Sequence, residues 1–65
     1  MFTKDENYYR LVASNGVRFL VGEAGGEQHL SVYINHGSFH IYMTDDEATA
    51  LAEMLLTSVK EKAHA

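Results

Sequence analysis

The chain has 65 residues, no cysteine, and nine acidic against five basic side chains, for a formal charge of -4. That length allows one domain whose core is too small to be comfortably stable without reinforcement, and the lack of cysteine excludes disulfides and thiolate metal sites, leaving oligomerisation as the expected support. The acidic balance works against nonspecific attraction to phosphate backbones and suits a basic protein partner.

Residues 1–7 are polar apart from Met1 and Phe2 and read as a flexible arm, without the apolar run and cleavage region of an export signal. No stretch is long enough to span a bilayer, so a cytoplasmic protein without a membrane partner is expected. Residues 8–65 form the single domain. Apolar and β-branched segments at 8–14, 17–23, 28–34 and 39–43 are separated by Asn15-Gly16, Gly25-Gly26 and His36-Gly37, which predicts four strands joined by tight hairpins.

A two-residue type I′ loop at Asn15-Gly16 sets Val12 opposite Phe19 and Leu11 opposite Leu20. Gly25-Gly26 sets Val21 beside Leu30 and Phe19 beside Val32, and His36-Gly37 sets Ile34 against Phe39 and Val32 against Ile41. In this register Val12, Phe19, Val21, Val32, Ile34, Phe39 and Ile41 collect on one face. A one-residue slip inverts a strand, so the agreement of three separate turns supports the pattern more than any single hairpin does.

After Met43, Thr44-Asp45-Asp46-Glu47 reads as a capping box opening a helix, with acidic residues at its positive end and Lys60 and Lys62 at the other. Ala48, Leu51, Ala52, Leu55 and Val59 share one helical face, which should cover the apolar side of the sheet. The predicted fold is α+β, a four-stranded antiparallel meander with one C-terminal helix packed on one face (ββββα).

The opposite sheet face then carries Leu11, Leu20, Ser31 and Tyr42 in its middle row, flanked by Ala13, Arg18, Tyr33 and His40 on one side and Tyr9, Gly22 and His29 on the other. Tyrosine and leucine are common strand formers and exposed apolar atoms occur on every surface. Their contiguity around an arginine nevertheless has the composition of a contact patch. The candidate partner-binding or dimer face is therefore Leu11, Arg18, Leu20, His29, Tyr33, His40 and Tyr42. Two copies packed sheet to sheet would bury Leu11, Leu20 and Tyr42 in a homodimer. Lateral adjacency of Arg18, Tyr33 and His40 predicts a cation–π contact and a hydrogen bond.

Other chemistries find less support. His29, His36, His40 and His64 invite a metal, but His36 falls in a turn, His40 on a strand and His64 almost at the terminus, with no Asp, Glu or Cys to complete a set. No metal or cofactor is expected. Ser31 and His29 share a face, but a flat sheet offers no pocket, oxyanion donors or orienting acid, so the chain does not read as an enzyme. Gly22, Gly25 and Gly26 flank Glu23 and Glu27 with no lysine placed to receive phosphate.

Exposed Tyr9, Tyr33 and Tyr42 beside Arg18 could stack single-stranded bases. The order of four strands then a helix is similar to that of dimeric single-strand-binding transcription coactivators, a likeness of element order alone. One arginine and no lysine on the face weigh against phosphate tracking. Asp45, Asp46, Glu47 and Glu53, with Glu23, Glu27 and Glu61, could instead occupy the basic groove of a nucleic-acid-binding protein, as small acidic inhibitors, phage-borne ones included, do. The reading is a small non-catalytic regulatory or inhibitory protein that docks on a protein partner, with single-stranded nucleic-acid binding as the alternative.

Overall fold

The computed structural model describes residues 1–64; Ala65, the expected domain end, and the side chain of His64, one of the candidate histidines, lie outside the described residues. Strands β1 (Thr3–Lys4), β2 (Tyr8–Val12), β3 (Arg18–Ala24), β4 (Glu27–Ile34) and β5 (Gly37–Met43) form an antiparallel meander in chain order, followed by helix α1 (Asp45–His64). The fold is α+β, with five strands in place of the expected four. The additional strand comes from the arm. Asp5 N–H donates to the Tyr8 carbonyl at 2.8 Å, closing a turn that sets Thr3 opposite Arg10 and Lys4 opposite Tyr9. Two paired residues are too few to show an alternating pattern, so periodicity has nothing to detect there.

Two of the three hairpins keep the expected faces. Gly25 and Gly26 both adopt left-handed φ, 61° and 85°, as a type I′ loop requires, and Val21 pairs with Leu30 and Phe19 with Val32. The last loop closes one residue earlier than expected, over Asn35-His36, so Ile34 faces Gly37, Val32 faces Phe39 and Leu30 faces Ile41. Moving a loop centre by one residue shifts the register by two. Parity is retained, and Phe39 and Ile41 stay on the apolar side.

The first hairpin differs in parity. Ala13 N–H donates to the Val17 carbonyl at 2.8 Å and Gly16 N–H to the Ala13 carbonyl at 3.0 Å, which leaves Ser14, Asn15 and Gly16 in a three-residue loop. Val17 N–H donates to Asn15 Oδ1 at 3.1 Å. Gly16 has φ 88°, whereas no described non-glycine residue has positive φ, so Asn15 is not left-handed as a type I′ loop demands. A turn followed by one left-handed glycine avoids that cost at asparagine. The extra loop residue slips β2 by one: Leu11 lies opposite Phe19, Tyr9 opposite Val21, Arg10 opposite Leu20 and Val12 opposite Arg18. The placements of Leu11 and Tyr9 on the open face, and of Val12 on the apolar face, are therefore inverted.

Helix α1 starts as predicted. Thr44 N–H donates to Glu47 Oε1 at 2.8 Å, and Glu47 N–H donates to Thr44 Oγ1 at 3.1 Å, the reciprocal pair of a capping box. Gln28 Nε2 donates to Asp45 Oδ1 at 3.2 Å, tying the first turn to β4. Ala48 and Leu51 are half-buried, but the apolar stripe beyond them stands clear of the sheet, with Leu55 60% and Val59 65% exposed. Among the described residues no apolar side chain is buried, and Ser31, 5% exposed, is the one buried residue. The helix side of the sheet is thus an open apolar trough. A hollow of about 360 Å³ beneath Phe2 and Tyr9 continues, through Leu11, Phe19 and Val21, into a cleft of about 520 Å³ bounded by Leu30, Met43, Ala48, Leu51 and Leu55. No helix among the described residues is long and apolar enough to cross a membrane.

Candidate functional site

Strand alternation sends three rows of side chains to the face away from the helix. They are Tyr8, Gly22, His29 and Tyr42; Arg10, Leu20, Ser31 and His40; and Val12, Arg18, Tyr33 and Ser38. Arg18, Leu20, His29, Tyr33, His40 and Tyr42 therefore share the open face as expected. Leu11 does not: it lines the trough on the other side, against Phe19 and Val21. The slip of β2 replaces it with Tyr8, Arg10 and Val12, which sequence reasoning left out. The choice of loop conformation at Asn15 is the signal that would have found them.

At the centre of the face, Ser31 Oγ lies 3.1 Å from His29 Nε2 and 3.1 Å from His40 Nδ1, and those two nitrogens are 3.0 Å apart. One facing nitrogen can donate and the other accept, and the Ser31 hydroxyl, within reach of both, shares that proton and lone pair according to the tautomers. His40 Nε2 is 3.3 Å from Ser38 Oγ; a proton donated there leaves Nδ1 as the acceptor for His29 Nε2–H. Three hydrogen-bonding groups thereby fix two ring orientations.

The aromatic rings extend this order outward. His29 stacks on Tyr42 at 4.5 Å between centroids with 6° between planes, and Tyr33 meets His40 edge-on at 6.0 Å. The Arg18 guanidinium sits 5.4 Å from the Tyr33 centroid, the anticipated cation–π contact, while the hydrogen bonds of His40 go to the serines and to His29. Each such contact is worth about 0.5–1 kcal/mol at an exposed site, and together they hold large rings in place before anything binds.

Gly22 leaves a gap in its row. A Cβ there would lie 3.0 Å from the Asn7 carbonyl oxygen and 3.3 Å from Tyr8 Cβ, a crowded approach that these neighbours would have to relieve by a few tenths of an ångström. The result is a dent of about 270 Å³ walled by Tyr8, Leu20, His29, Ser31 and Tyr33, mixed apolar and polar in character. One inserted side chain would find apolar walls and hydrogen-bonding groups there.

A serine between two imidazoles has the elements of a nucleophile and base. Here Ser31 is 5% exposed, and the hydrogen bonds of both rings run to each other and to serine. The triangle ties the two rings to one another and to Ser31. Among the described residues no group of three histidine, cysteine or carboxylate side chains is placed to hold a metal, and His36 lies in the β4–β5 loop.

The acidic residues of the helix lie apart from this face, whereas Glu23 borders its dent. Glu47 is engaged in the capping box and Asp45 with Gln28, while Asp46 is exposed in the same first turn and Glu53 is exposed further along the helix. Charge at that end complements the helix dipole.

Fold and face together describe a small α+β sheet protein with a preformed surface of aromatic rings, imidazoles and arginine. No family model, curated protein or solved structure matches the chain, so its functional reading rests on this geometry.

Proposed function

We propose that this chain is a non-catalytic docking protein that blocks or tunes a protein partner through the open face of its sheet. The observation that carries the proposal is the ordered Arg18–Tyr33–His40–His29–Tyr42 array surrounding Ser31. Tyrosine and arginine supply large contact area with a polar handle, and rings already held lose little rotamer freedom on binding. The dent at Gly22 offers an anchor point for a partner side chain. Tyr42, 57% exposed and stacked on His29, is more accessible than the half-buried Tyr33 and His29.

Replacing Tyr33 and Tyr42 together with serine removes contact area without touching the trough or the helix cap. Bait carrying this double substitution should fail to recover, from the native host, a protein that the unaltered chain recovers reproducibly, while both retain the same circular dichroism spectrum. Equal recovery by the two would sink the assignment.

Single-stranded nucleic acid is the second reading, and the register of β2 favours it more than the sequence does. Arg10 and Tyr8 join Arg18, Tyr33 and Tyr42 on the face, although Arg10 also approaches Asp5, with Nε 3.9 Å from Oδ2. Salt-sensitive binding of oligo(dT) with quenched tyrosine fluorescence would support this reading, and no binding at low salt would remove it.

A further inference from the structure

We propose that two copies of this chain assemble through the helix-bearing side of the sheet, the distal half of each helix closing the apolar trough of the other. The two tyrosine–histidine faces are then turned outward on opposite sides of the pair, and the assembly is bivalent. This surface is the reverse of the sheet-to-sheet contact expected from the sequence through Leu11, Leu20 and Tyr42, of which Leu11 lies on the trough side instead. It does not depend on what the tyrosine–histidine face binds.

Surface area points to a second copy. A compact monomer of 65 residues exposes about 4,200 Å², whereas this chain exposes 5550 Å². The surplus, about 1,300 Å² per chain, matches the share that each subunit of an obligate homodimer buries. Most of the exposed large apolar side chains lie on the trough side. Phe39 and Ile41 on the sheet and Leu55 and Val59 on the helix all lie more than a third exposed on elements whose apolar sides face the same trough.

Complementarity points the same way. The trough needs an apolar rod, and the stripe of Leu55, Leu56 and Val59 is an apolar rod left without a surface in its own chain. With the two-fold axis perpendicular to the helices, the paired helices run antiparallel. The lysine-bearing last turns of one helix, at Lys60 and Lys62, then lie near the acidic first turn of the other, Asp45 to Glu47. A foreign partner would have to supply this match; a second copy already carries it.

The test uses the unaltered full chain, with no partner added. Sedimentation equilibrium should return twice the chain mass, and the thermal midpoint should rise by about 5 °C for each tenfold increase in protein concentration, as expected when two unfolded chains form one folded pair. Val59→Glu should weaken the pair at least tenfold, while Tyr42→Ser on the opposite face should leave it intact. A folded monomer throughout a roughly hundredfold concentration range with an unvarying midpoint would overturn the proposal. So would a pair that Tyr42→Ser dissociates and Val59→Glu leaves whole, which would place the contact on the tyrosine face. If Val59→Glu fails to fold, the concentration dependence of the unaltered chain and the behaviour of Tyr42→Ser decide the matter. Only a contact placed on the tyrosine face would also bear on partner capture by the open face; the other outcomes leave that capture, which is read separately, untouched.

Discussion

Asn15→Gly tests which side of the sheet Leu11 faces. In the observed loop Asn15 has no left-handed strain to relieve, and its Oδ1 accepts the Val17 N–H at 3.1 Å. Glycine loses that exposed hydrogen bond, worth roughly 0.5–1 kcal/mol net, and gives the unfolded chain further freedom worth about 0.5–1 kcal/mol. The sum is a destabilisation of about 1–2 kcal/mol, which for a domain of this size lowers the thermal midpoint by roughly 5–15 °C. In a type I′ loop the sign reverses, because glycine would release asparagine from a left-handed conformation costing about 1 kcal/mol. Thermal unfolding followed by circular dichroism at one fixed protein concentration separates the two cases. Asn15→Asp, which keeps the acceptor, should stay within about 0.5 kcal/mol of the unaltered chain. If Asn15→Gly is as stable as the unaltered chain, or more so, the loop is type I′, Leu11 rejoins the tyrosines, and Arg10 and Val12 leave the docking face.

Three further outcomes follow from individual residues. Gly16→Ala forces a side chain into φ 88° with open space around it and should cost about 1 kcal/mol, while Gly37→Ala, outside the left-handed region with nothing near its Cβ, should gain about 0.4–1 kcal/mol; urea midpoints at equal concentration read both. Thr44→Ala removes the hydroxyl that accepts the Glu47 N–H and should lose about 1 kcal/mol, measured the same way, with fraying of the first helical turn in amide exchange. Ser31→Ala strips the hydroxyl shared by His29 and His40 and should cost about 1 kcal/mol while loosening the rings, seen as broadened His29 and Tyr42 side-chain resonances; sharp, unshifted resonances would mean that the serine does not orient them.

Much of the architecture was legible because the signals are local. The capping box at Thr44 and Glu47 lies within one helical turn, and its reciprocal hydrogen bonds form from neighbours in the chain. Gly25-Gly26 reads directly as a left-handed pair because glycine has no Cβ to oppose it. With that loop anchored, alternation placed Arg18, Leu20, His29, Tyr33, His40 and Tyr42 on one face. The early closure at Asn35-His36 did no harm, since its shift is even.

Where two backbones differ by about 1 kcal/mol, composition could not choose between them. Asn15-Gly16 is compatible with one or two left-handed residues, and that choice alone moves Leu11 to one side and Val12 to the other. The same holds for Thr3–Lys4, whose pairing with Tyr9 and Arg10 depends on a turn bond between Asp5 and Tyr8 rather than on any pattern of its own. Helical periodicity identified an apolar stripe through Leu55 and Val59, but not how much of it the sheet would reach. Residue order sets which way a side chain points; whether that direction meets another surface depends on the angle and length of elements far apart in the chain. In this fold the helix leaves its sheet after Leu51, and the uncovered trough became visible only once those elements were placed together in space.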